Sequence, residues 1–217
     1  MFGVIFDLDG TLLDSMEMWR SLDQDFLERN GYKYNPKVSQ RMLSKSLEEA
    51  ASILQEEYNM TMSVEEILEE WNMELYDQYN NKLQLRPGAR EVIELLHAHK
   101  VPMCIATLTE RWHVKPALER LQVADKMDFI LTVSEVGKSK RNPDIYVMCA
   151  QRMGVHPGDT VVMEDSLHAL ETAKKAGFVV YGVVDEHTDD AAEIRRLSDQ
   201  TVTDFYELLK ELQEKYE

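Results

Sequence analysis

The sequence predicts an α/β fold: a parallel sheet whose strands alternate with helices, interrupted after the first strand by an all-helical insert. Three observations carry this. Residues 2–6, Phe-Gly-Val-Ile-Phe, form a short apolar run ending in a charge, as in a strand buried on both faces. Residues 15–81 carry their apolar residues at helical spacing and show no strand pattern. From Pro87 onward, apolar runs alternate with helical stripes, the signature of βαβ units.

The elements follow in order. Trp19, Leu22, Phe26 and Leu27 recur on one helical face, and Gly31 ends it. Leu47, Ala50, Ala51 and Leu54 form a second stripe. Val64, Ile67, Leu68, Trp71 and Leu75 form a third, with Ser63 before it as the N-cap. A helix is expected over 88–99, a strand over 101–107, a helix over 113–121 and a strand over 129–133. Asn142-Pro143-Asp144 starts a helix with Pro at its first position, running to Met153 and stopping at Gly154. A strand over 160–163, a helix over 166–175, a stop at Gly177, a strand over 178–184 and a charged helix after Thr203 complete the chain. Two domains result: an α/β core from residues 1–14 and 82–217, and a helical domain from residues 15–81.

Composition narrows the function. The 217 residues hold 40 acidic and 24 basic side chains, a net charge of −16. Such a surface repels nucleic acid and anionic membranes, so neither is an expected partner. No apolar run approaches the ~20 residues of a membrane-spanning helix. The start lacks a basic segment and meets two aspartates within ten residues, unlike a signal peptide. Cys104 and Cys149 stand far apart in sequence, which excludes a disulfide framework or zinc cluster and suits a cytoplasmic protein with reduced, buried thiols. The oligomeric state is not legible, a monomer being the default expectation. Gly137-Lys138-Ser139 has the tail of a phosphate-binding P-loop, but Thr132 stands where its first glycine belongs. The histidines show no metal-ligand spacing.

In open parallel sheets, ligands bind outside the carboxyl ends of the strands. After the first strand comes Asp7-Leu8-Asp9-Gly10-Thr11. Residues i and i+2 of an extended segment point the same way, so Asp7 and Asp9 can face one pocket. Two carboxylates so close repel, and a divalent cation relieves that cost. After the second core strand comes Thr107-Leu108-Thr109, offering a hydroxyl and free amides. Lys138-Ser139-Lys140 follows the third, and Glu164-Asp165-Ser166 follows the fourth. Acid pair, hydroxyl, lysine and second acid pair describe a magnesium–phosphoryl site.

Carried on these residues, the chain resembles the haloacid dehalogenase superfamily of phosphohydrolases, in the branch with a helical cap after the first strand. FDLDGTLLDS at 6–15 resembles its first motif, Arg86-Pro87-Gly88-Ala89 the return from the cap, and Ile105-Ala106-Thr107 the second motif. Lys140-Arg141-Asn142-Pro143-Asp144 resembles the third, and Glu164-Asp165-Ser166 through Ala176-Gly177 the fourth. The resemblance implies a Rossmann-like core with an inserted helical cap. It implies that Asp7 attacks phosphorus, forming an aspartyl-phosphate, and that Asp9 is the acid and base. It also implies Mg2+ held by Asp7, Asp165 and Asp9, the last through its backbone carbonyl, with Glu164 in or near the shell, and a phosphoryl group held by Thr107, Leu108 and Lys140. A small phosphorylated metabolite is the implied substrate.

Two departures stand out. The family often has Pro after the third-motif lysine, and Arg141 is there instead, which leaves Lys138 as a rival to Lys140, although counting back from Pro143 favours Lys140. Ala169 replaces a frequent glycine. In the helical insert, Arg20, Arg41 and Lys45 are candidate contacts for an anionic substrate. A hexose-phosphate mutase is an alternative, disfavoured by the lack of a Gly-x-Ser-Arg signature near position 44. A non-catalytic phosphometabolite-binding protein is another, and intact Asp7 and Asp9 speak against it.

Overall fold

The computed structural model describes residues 2–42, 45–185, 188 and 190–216. Leu43 and Ser44, where a mutase signature would fall, lie outside them. The chain forms two compact units, Met1–Ser15 with Leu83–Glu217 and Met16–Lys82. The first begins with β1 (Gly3–Phe6), buried along its whole length.

The second unit is helical throughout: α1 (Met16–Arg29), α2 (Pro36–Met42), α3 (Leu47–Tyr58), α4 (Val64–Asp77) and a π-helical turn over Gln78–Lys82. Its core is the three apolar stripes turned inward, with Phe26 and Trp71 edge to face at 5.8 Å between centroids. Ser63 caps α4: its hydroxyl accepts from the Glu66 amide at 3.2 Å, and its own amide donates to the Glu66 carboxylate at 2.7 Å. Ser46 does the same for α3 through Glu49. α2 has no counterpart in the sequence pattern, because it buries only Val38 and so carries no apolar stripe.

In the first unit the chain continues through α5 (Ala89–Ala98), β2 (Met103–Thr107), α6 (Arg111–Arg120), β3 (Phe129–Thr132), α7 (Val133–Val136) and α8 (Asp144–Met153). Then come β4 (Thr160–Glu164), α9 (Leu167–Lys175), β5 (Val179–Val183), α10 (Ala191–Leu197), β6 (Gln200–Val202) and α11 (Phe205–Tyr216). The six strands are parallel in the order β3-β2-β1-β4-β5-β6. β1 is central, with β2 on one side and β4 on the other, so connections run outward from it in both directions. That is the switch point at which such sheets open a crevice. Register brings Phe6 level with Ile105 and Met163, so the residues just beyond these strands share one end of the sheet.

The expected strand over 101–107 begins only at Met103; Pro102 has no N–H to give a ladder, and its carbonyl accepts from Val4 instead. β6, Gln-Thr-Val, was not expected, because three mostly polar residues at a sheet edge show no apolar run. α7 and α10, of four and seven residues, are too short to show a period. Cys104 of β2 and Cys149 of α8, distant in sequence, are brought together as buried free thiols, and burial with the neighbouring thiol pushes Cys104 well above the ordinary cysteine pKa.

Candidate active site at the strand ends

Asp7 is the first residue past β1 and is buried. Lys140 comes from the loop after α7, which turns at Gly137 (φ 73°). Its ammonium donates to Asp7 Oδ1 and, at 2.7 Å, to Glu164 Oε1, and all three groups are buried. Glu164 closes β4 and accepts from the Ser166 amide at 2.8 Å through its other oxygen. Burial raises the pKa of Asp7 to about 7; Lys140 opposes the rise, while Glu164 and Asp9 add to it. Asp165 is raised well above the carboxylate range by burial and by Glu164 and Asp7. Burial works against the Lys140 ammonium, but the carboxylates of Asp7 and Glu164 outweigh it and hold its pKa well above the lysine value.

One oxygen each from Asp7, Glu164 and Asp165 lies within 4.8 Å of the others. Three crowded carboxylates balanced by one ammonium carry excess negative charge, and hard oxygen donors at this spacing suit a small divalent cation. The donor set therefore fits magnesium. Among the described residues, the Asp9 side chain is not in this group.

Asp9 is held elsewhere. Thr109 Oγ1 donates to Asp9 Oδ2 at 2.6 Å, and the Thr109 amide donates to Thr107 Oγ1 at 3.0 Å. Thr107 ends β2 and is buried, whereas the Leu108 side chain between the two threonines is 64% exposed. Gly10 follows Asp9 at φ 77°, a left-handed conformation that a residue with a Cβ adopts at a cost. Its amide donates to Ser15 Oγ at 3.2 Å and to the Leu13 carbonyl at 3.1 Å, and its carbonyl accepts from Arg86 at 3.1 Å.

The remaining candidates separate cleanly. Lys138 points to solvent and pairs with Asp144 at 2.6 Å, away from Asp7. In the helical unit, Arg41 pairs with Glu57, Lys45 reaches Glu49 at 4.0 Å, and Arg20 is exposed on α1. His113 is buried at the start of α6 with the Trp112 ring 3.9 Å away, and burial lowers its pKa against the opposing charge of Asp9. Thr109 and Arg86 are the contacts that sequence reasoning did not assign. Their loops were legible as motif flanks, but a hydrogen bond between residues 100 positions apart leaves no local pattern.

Known proteins share this arrangement of elements. A phosphorylated-carbohydrates phosphatase from Thermotoga maritima is 30% identical over 193 residues, covering 88% of this chain and 89% of that protein. A (DL)-glycerol-3-phosphatase from Arabidopsis thaliana is 31% identical over 208 residues, covering 92% and 85%. The crystal structure of a hydrolase from Deinococcus radiodurans, with bound phosphate and sodium, superposes with a TM-score of 0.78 at 25% identity, covering 99% of this chain and 96% of that one. The family described as haloacid dehalogenase-like hydrolases matches residues 4–183. The sheet with its switch point, the acidic strand ends and these matches agree: the chain is a hydrolase and belongs to the haloacid dehalogenase-like family.

Proposed function

We propose that the protein is a magnesium-dependent phosphatase of small phosphorylated metabolites, acting through an aspartyl-phosphate on Asp7. The observation that carries this reading is the buried Asp7–Lys140–Glu164 cluster beside Asp165, two residues from an Asp9 held by Thr109. The ammonium that pairs with the buried Asp7 is also placed to meet the oxygens of a phosphoryl group bonded to it.

In the first step a carboxylate oxygen of Asp7 attacks phosphorus. The new O–P bond forms as the ester P–O bond breaks, and Asp9 gives its proton to the departing oxygen. In the second step water attacks the same phosphorus, Asp9 takes the water's proton, and the Asp7–phosphorus bond breaks to release inorganic phosphate. Lys140 and the Thr107 hydroxyl are suited to the phosphoryl oxygens, whose charge must be spread in the transition state. Magnesium, held by Asp7, Asp165 and the backbone carbonyl of Asp9 with Glu164 at the edge of its shell, would supply positive charge to those oxygens. The named activities of the Thermotoga and Arabidopsis relatives, both phosphatases, support the reaction class and leave the substrate open.

The test is hydrolysis of p-nitrophenyl phosphate with magnesium or with chelator, by the wild type and by Asp7→Asn. The wild type is expected to turn over only with magnesium, and the variant to fall by at least ~10³-fold. Equal rates for the two proteins would sink the mechanism.

A further inference from the structure

The general acid of such a reaction must be aimed as well as present, and among the residues outside the reacting set Thr109 contacts the Asp9 carboxylate and Arg86 the turn that carries it. Thr109 Oγ1 donates to Asp9 Oδ2 at 2.6 Å, which fixes the carboxylate that is to carry a proton to or from the substrate. On the backbone side, Arg86 donates to the Gly10 carbonyl at 3.1 Å, and its own amide donates to the Leu12 carbonyl at 2.8 Å. Arg86 is fixed in turn by Asp185, just past β5, at 3.2 Å, with side-chain exposures of 14% and 26%. Asp185 is braced by Thr188, whose hydroxyl donates to its carboxylate at 3.1 Å and accepts from its amide at 3.0 Å. A glycine turn at φ 77° has no side chain of its own to hold it, so bonds to its peptide groups decide where Asp9 points.

We propose that Thr109 and Arg86 are positioning residues for Asp9, Thr109 acting on the carboxylate and Arg86 on the turn that carries it. The proposal rests on Asp9 being the general acid. It makes a selective prediction, because leaving groups differ in their need for a proton. An alkoxide must be protonated as it leaves, whereas p-nitrophenolate departs without help. kcat/KM reports the steps up to formation of the aspartyl-phosphate, so it isolates the step in which Asp9 is the acid. A misaimed Asp9 therefore penalises an alkyl phosphate and spares the aryl one, whereas damage to metal binding or folding penalises both.

The experiment measures kcat/KM with glycerol 3-phosphate and with p-nitrophenyl phosphate for the wild type, Thr109→Val, Thr109→Ser, Arg86→Gln and Asp7→Asn. For Thr109→Val, which keeps the side-chain volume, the alkyl ester is expected to lose roughly 10- to 100-fold and the aryl ester less than about 3-fold. Thr109→Ser restores the hydroxyl and should return the ratio of the two esters to that of the wild type. Arg86→Gln should show the same selectivity at a melting temperature that confirms folding. Equal losses on both esters, or none, would overturn the assignment for the residue concerned. Asp7→Asn separates the two levels: if it turns over both esters at wild-type rates, the aspartyl-phosphate reading fails first.

Discussion

Lys138 and Lys140 stand two positions apart and sit in opposite environments. Lys140 is buried between Asp7 and Glu164, and Lys138 lies in solvent against Asp144. Removing Lys140 leaves two buried carboxylates without their cation, a change that costs about 3–5 kcal/mol. Lys140→Ala is therefore expected to lower stability in metal-free denaturant titrations by that order and to cut phosphatase turnover at least ~10²-fold. Lys138→Ala breaks an exposed, solvent-screened pair and should leave stability close to the wild type, with turnover retained. If the two variants behave alike, the buried cluster is not what selects Lys140. Residue types at the strand ends were legible, since Asp7, Asp9, Thr107, Glu164 and Asp165 all follow apolar runs. Spacing from Pro143 already favours Lys140 over Lys138, but the burial that separates them is not written in sequence order.

At the scale of elements, caps and close approaches fix the chain around the site. α7 has four residues and holds through a capping box: the Thr132 amide donates to the Glu135 carboxylate at 2.9 Å. Arg111, opening α6, donates to the same carboxylate at 2.6 and 2.8 Å and to the Ile130 carbonyl at 2.6 Å. The Arg111 hydrogen bonds, with the Thr132 amide adding to them, lower the Glu135 pKa to about 2. A carboxyl depressed on folding contributes stability above its ordinary pKa, and that contribution fades as pH falls from about 4.5 toward 2. Both side chains are well exposed, so solvent screening keeps it to about 1 kcal/mol or less. Glu135→Gln should lower the melting temperature at pH 7, and the difference from the wild type should shrink at pH 3. A difference that stays constant would show the ion pair adds nothing. Gly88, at φ 84° before α5, allows a different contact: a Cβ there would lie 2.7 Å from the Tyr206 amide at the start of α11. Gly88→Ala is expected to destabilise by roughly 2 kcal/mol or more in thermal unfolding, through strain and overlap together. The expected helix over 88–99 begins one residue later, at Ala89, and the contact of Gly88 with the last helix, more than a hundred residues on, leaves no local pattern.

For the whole molecule, the net charge of −16 acquires a local structure. Asp7, Glu164 and Asp165 gather at one end of the sheet, and their mutual repulsion is stability that a cation can recover. Magnesium binding to the native state alone should raise the melting temperature, by an amount equivalent to about 2.7 kcal/mol at a hundredfold excess over Kd. Asp165→Asn is expected to melt higher than the wild type in chelator at neutral pH, since it removes a carboxyl whose raised pKa opposes folding there, and to lose the magnesium-induced rise. A rise of wild-type size in the variant would place the metal elsewhere.

The sequence by itself determined the class of fold and the chemical inventory. Burial on both faces makes a parallel strand a continuous apolar run, helical packing imposes its own period, and catalytic side chains must sit where strands end. Such requirements are local and leave a local trace. Only the tertiary structure decided which groups touch: that β1 separates β2 from β4, that Lys140 rather than Lys138 meets Asp7 and Glu164, and that Thr109 and Arg86 hold Asp9 and its turn. Those contacts join segments tens to more than a hundred residues apart. Their energies depend on distance and burial, which the order of residues does not record.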